Sequence, residues 1–113
     1  GEWVIGWTQV TDGFAQLRWN LRTGKVARVG QLAYVGDLNR HGWTTGFVRA
    51  ADGFETPAFA AGAEVVRLPS LDGAVPSREG PGAYTISDDG RVLAGLLVSG
   101  PDERPFPVRW TCR

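Results

Sequence analysis

The residues that could do chemistry here are few and widely spaced. His41, the single histidine in 113 residues, stands directly before Gly42, with Asp37 four positions upstream. An imidazole near a carboxylate serves nucleophilic hydrolysis when a hydroxyl completes the set. Ser70, Ser77, Ser87 and Ser99 are the hydroxyls available, but none has the glycine-flanked spacing of a nucleophile elbow. Acids gather as Asp37, Asp88-Asp89 and Asp102-Glu103. Paired carboxylates can hydrolyse glycosides or hold calcium, yet the spacing fits neither a calcium loop nor another metal pattern. His41 and the lone Cys112 lack the companion ligands zinc requires, so no cofactor is expected. Asp-Gly and His-Gly pairs are ordinary turn chemistry, because glycine accepts positive φ. The simpler reading of His41 is therefore a turn former.

Such turns must join something, and the composition says what. Apolar residues make up 42% and charged residues 21%, too apolar for disorder. Twelve basic residues balance twelve acidic ones, so no general attraction to nucleic acid arises. Lys25 is the only lysine, and the arginines spread along the whole chain. No run approaches the ~18 apolar residues of a membrane span. The absence of methionine suggests a processed or cut piece of a longer product. Cys112, if the protein is exported, suggests a thiol partner elsewhere; an unpaired terminal thiol is the alternative.

The turns punctuate a repeat. Ala33-Tyr34, then Leu38-Asn39-Arg40-His41-Gly42, recurs as Ala83-Tyr84, then Ile86-Ser87-Asp88-Asp89-Gly90. Each leads into a glycine-centred strand, Trp43–Val48 and Arg91–Val98, and Trp3–Thr8 is a third copy. A next strand follows each time: Gln16–Trp19, Pro57–Ala60 and Pro107–Trp110. Lys25–Val29 and Glu64–Leu68 supply a fourth strand twice. The central glycines Gly6, Gly46 and Gly95 lie 40 and 49 residues apart, a spacing suited to one four-stranded propeller blade. With period-two alternation, Trp3, Ile5 and Trp7 share a face, matched by Trp43, Thr45 and Phe47, then by Val92, Ala94 and Leu96. The opposite face carries the glycine, where a neighbouring sheet or backbone can approach. Recurrence of Trp3 with Trp43, and of Trp19 with Trp110, points to core packing, with Trp7 in the same apolar column and no indole left over as a ligand platform.

The order of these elements resembles the bacterial extracellular HAF repeat. Leu38-Asn39 to Gly42, Val4-Ile5-Gly6, Pro57-Ala58-Phe59 and Ala83 to Gly90 carry the likeness. Ala60-Ala61 stand where the other copies have Trp19 and Trp110, and Ser87 stands where asparagine is expected. The resemblance implies a propeller-like fold and a secreted, extracellular location. It supplies no catalytic residues.

The expected fold is thus all-β: about two and a half four-stranded antiparallel units, blade-like, as a fragment or part of an oligomer. A partial blade spans 1–31, a full blade 32–69, an inter-blade loop 70–82 and a partial blade 83–113. That count gives three, four and three strands, short of the ~4 blades that close a propeller. Open edges invite pairing with upstream repeats or with identical chains. The loop has no counterpart in the first copy beyond Gly30-Gln31-Leu32. Insertions of this kind map to loops, often on a binding face; a flexible, dispensable connection is the bland alternative. The expected function is an exported scaffold or binding module presenting loops to protein or carbohydrate, without catalysis of its own. Asp72, Arg78, Glu79, His41 and Asp37 are the candidate binding residues. One alternative is a hydrolase or lyase whose site is completed by further blades, drawing on Asp37, Asp88 or Glu103. The other is a self-association domain.

Overall fold

The computed structural model describes residues 2–11, 13–29, 32, 34–62, 64–78, 80–100 and 103–112. Among them no helix forms, and none therefore is long and apolar enough to cross a membrane. Ten strands make three antiparallel sheets. The first sheet pairs β1 (Trp3–Val10), β2 (Gly13–Asn20) and β3 (Val26–Arg28) in order. The second runs β4 (Tyr34–Leu38), β5 (Thr44–Arg49), β6 (Glu55–Ala61) and β7 (Glu64–Arg67). The third is β8 (Gly82–Ile86), β9 (Val92–Val98) and β10 (Pro105–Thr111). Every pairing is a hairpin neighbour, so the expected three, four and three strands are what form. The sheets do not close on themselves: the array is a flattened slab of 48 × 36 × 18 Å.

Turn chemistry explains the boundaries. Gly24, Gly42, Gly53, Gly62, Gly73 and Gly90 all adopt positive φ, a conformation that side-chain-bearing residues enter reluctantly. Ala33, Gly30-Gln31, Glu79 and Asp102, which figured in the sequence reading, lie outside the described residues.

Two apolar interfaces hold the slab together. Phe59, with Trp43, Ala61 and Val66 beside it, brings one face of the second sheet onto Ala83, Ile86, Leu93, Leu97, Val108 and Trp110 of the third. The opposite face of the second sheet, with Val48, Ala58, Ala60 and Val65, packs on Val29 and Leu32. Register explains the division. Thr44 pairs Ala60 and Ala60 pairs Val65 on one face, while Thr45 pairs Phe59 and Phe59 pairs Val66 on the other.

Two of the central glycines are approached from within their own sheets, by a ring at Gly6 and, as expected, by backbone at Gly95. At Gly6 the nearest group is the Trp19 ring of the same sheet, 3.3 Å from where a Cβ would sit. At Gly95 a Cβ would overlap the Gly82 carbonyl of the adjacent strand β8, beside a register shift between Ala83 and Thr85. The close approach between sheets occurs instead at Gly36 on β4, whose Cβ would lie 3.0 Å from the Tyr84 Cα.

Thr44 and Thr45 are fully buried, and neither hydroxyl finds a partner among the described residues. A buried polar group left unsatisfied carries a desolvation penalty that an isosteric apolar group lacks. Thr44→Val and Thr45→Val should each raise stability, by about 1 kcal/mol, read as a higher urea midpoint with unchanged m-value. A loss of stability in both would show that the hydroxyls are bonded.

Candidate functional site

The ends of the hairpins divide the molecule into two rims. At one rim the turns 39–42 and 87–90 lie side by side. Asn39 organises the first: its Oδ1 accepts from the backbone N–H of His41 and Trp43, and its Nδ2 donates to the Ser87 carbonyl 3.1 Å away. Ser87 holds the equivalent place in the second, where its Oγ donates to Asp89 and accepts from the Val92 N–H. The shared need is a short polar side chain able to bond the backbone of its own turn, which serine meets where asparagine was expected.

The turn glycines carry a second repeated device. A Cβ on Gly42 would lie 2.7 Å from the Trp3 ring, and one on Gly90 would overlap the Trp43 ring. Each indole therefore rests against the turn backbone of the following sheet. Arg18 completes the first contact, with its guanidinium 4.8 Å from the Trp3 ring centroid and Nη1 donating to the Gly42 carbonyl at 2.7 Å. Trp43 is flanked instead by His41 and Phe59, at 5.4 and 6.1 Å.

Beside the first indole opens a groove of about 600 Å³, lined by Glu2, Trp3, Leu38, Asn39, Arg40, His41 and Asp88. Its rim is charged with both signs and exposed, while Trp3 is half-buried. Of the sequence-predicted residues, His41 lines it from the binding candidates and Asp88 from the acids of the alternative enzyme site. Asp37 stands close by, but its carboxylate is committed: Oδ1 accepts from the Leu38 N–H and Oδ2 from the Ile86 N–H of the third sheet. It acts as a brace between sheets. Glu2, Trp3 and Arg40 were not among the candidates. The usable signal was that turns at matched repeat positions must line up on one rim.

Asp72 and Arg78 belong to the other rim and do not meet His41. The segment after β7 crosses from the second sheet to the third as a strap. Glu55 donates its N–H to the Ser77 carbonyl, Val75 to Val98, and Gly100 to the Gly73 carbonyl. Arg78 packs on Phe54, 4.3 Å from the ring centroid, and its Nε donates to the Asp52 carbonyl. Asp72 is exposed; Glu79 lies outside the described residues. The strap thus joins two hairpins, and removing 72–80 would take these bonds away. Trp7 also departs from expectation: it is 68% exposed, not packed in the column with Trp3 and Ile5. Among the described residues no group of three or more His, Cys, Asp or Glu side chains could hold a metal ion.

No family model, no curated protein and no solved structure matches this chain. The fold and rim define a three-sheet all-β protein with a groove beside a stacked indole.

Two outcomes follow. Glycine-to-alanine changes separate backbone strain from ring contact, since Gly62 and Gly73 share positive φ but face open space. Gly73→Ala and Gly62→Ala should each lose about 1 kcal/mol or slightly more. Gly42→Ala and Gly90→Ala should lose clearly more in the same denaturant melts; equal losses at all four would remove the indole contact as a stabilising element. Asp89 offers a pH test. Its carboxyl is held below the ordinary aspartate range, chiefly by the Ser87 hydroxyl, then by the Arg91 N–H. A depressed folded value means that this stabilisation is present above the unfolded value and is lost as pH falls through the folded one. NMR titration should find Asp89 low, with Ser87→Ala bringing it back toward the ordinary value; no change in that variant would deny the hydroxyl its role.

Proposed function

We propose that this chain is an exported, blade-like β-repeat scaffold, akin to the HAF repeats and propeller-like in its stacking. In this reading it works as a binding module, and the rim of aligned turns presents the groove to a protein or carbohydrate ligand. The observation that carries the reading is the groove beside Trp3, with Glu2, Arg40, His41 and Asp88 around it. An indole offers an apolar face on which a sugar ring or an aliphatic side chain can rest. Convergent charged and amide groups around such a face fix orientation. The alternation of sign, Glu2 and Asp88 against Arg40, suits a neutral or zwitterionic polar ligand and disfavours a polyanion. The strap on the opposite rim supports the scaffold role, since it ties the second and third sheets together and leaves the groove side clear.

Glycan and peptide arrays probed with the protein should give a saturable ligand. Arg40→Ala combined with Glu2→Ala should weaken that ligand by about ten-fold or more while circular dichroism and melting stay near wild type. Retained binding in the double variant, or loss of binding on removing Asp72 and Arg78 instead, would place the ligand elsewhere.

A further inference from the structure

Each sheet carries one cross-strand row two residues before its central glycine. In the third sheet that row is Ile86–Leu93–Trp110, with residues 7%, 0% and 5% exposed, and it is covered by the second sheet. Trp110 also donates its indole N–H to the Pro69 carbonyl across that boundary, at 2.9 Å. In the second sheet the row is Leu38–Thr44–Ala60–Val65, and Val29 of the preceding repeat, with Leu32 from the connection into β4, covers the Ala60–Val65 end of it. In the first sheet the matching row is Val4–Trp19–Val26. Its two ends are open, with Val4 44% and Val26 52% exposed, while Trp19 is half-buried with its ring against Gly6 of the same sheet, and no described residue accepts a bond from its indole. Apolar rows of this kind mark contact surfaces.

The complementary face is also open in part. On the second sheet, the face that receives the third is built on Trp43, Thr45 and Phe47. On the third sheet the matching positions are Val92, Ala94 and Leu96 on β9, of which Val92 is exposed and Ala94 and Leu96 are half-buried. The chain therefore holds one incompletely covered face of each type, at opposite ends of the slab. Formal net charge is zero, so copies do not repel one another overall.

We propose that a second copy of this chain covers the first sheet, seating its β9 face, Val92–Ala94–Leu96, on the Val4–Trp19–Val26 row in the manner of the second sheet on the third. Contact of two different patches is heterologous, and it propagates head to tail until a ring closes. It is a face-to-face contact, distinct from pairing of open strand edges.

Sedimentation velocity of the chain across a concentration series tests this. The mass should rise from 12.2 kDa to integer multiples. Trp19→Glu and Val92→Glu should each weaken association by about ten-fold or more. Val26→Glu, at an exposed site on the same row, repeats the first test should Trp19→Glu fail to fold. The decisive arm is a mixture. A first-sheet variant keeps its β9 face and Val92→Glu keeps its first-sheet row, so the two should form a 1:1 complex that neither forms alone. A wild type that stays monomeric overturns the proposal. So does association lost in the first-sheet variants but untouched in Val92→Glu, which would mean pairing of like faces or a different partner. Binding at the groove is read separately and should survive all three substitutions.

Discussion

Successive sheets of this protein are joined where an indole lies against the backbone of a turn in the next sheet: Trp3 on Gly42, Trp43 on Gly90. The contact demands glycine twice over. The turn needs positive φ, and the ring occupies the volume a side chain would fill. Because the ring comes from one repeat and the glycine from the next, the contact couples neighbours, as stability in a repeat array requires. The bonds around it run the same way. Asn39 reaches the Ser87 carbonyl, Asp37 reaches the Ile86 N–H, and Asp88 accepts from the Arg40 N–H. Hydrophobic burial then fills the space behind this rim, with Leu93 and Trp110 at the centre.

The groove follows from that arrangement. An indole drawn toward a turn leaves its remaining surface beside the turn's own polar residues, and those are the residues a turn tolerates freely. Arg40 and His41 are exposed because turn formation asks for their backbone and little else, while the exposed Asp88 also braces the Arg40 N–H. Trp3, Asn39 and Asp88 are held by the scaffold while Arg40 and His41 are free to vary, which is how loops on a rigid frame come to carry recognition.

Much of the fold was legible. Period-two alternation, Gly-centred strands and turn pairs gave all-β structure and the three, four and three grouping. What escaped has physical causes. The partner of a strand glycine depends on twist and bulges, so Gly6 and Gly95 turned out to be approached from within their own sheets and the between-sheet approach fell at Gly36. Trp7 reads like Trp3 by period, but burial depends on how much of a neighbouring sheet covers that part of the face. The strap was visible only as an insertion, since backbone bonds such as Glu55 to Ser77 leave no mark on side-chain pattern. Of the site, His41 was found through its turn and Asp37 through its charge, yet a carboxylate's charge does not reveal that two N–H groups already occupy it.

The claim on which all this rests is that one repeat's tryptophan lies on the next repeat's turn glycine. Two-dimensional NOE spectroscopy on the folded chain observes it directly. Cross-peaks should join the Trp43 ring protons to the Gly90 α-protons and the Trp3 ring to Gly42, with both glycine α-resonances moved upfield by the ring currents. Glycine α-protons at ordinary positions, with no cross-peak to either indole, would contradict the account.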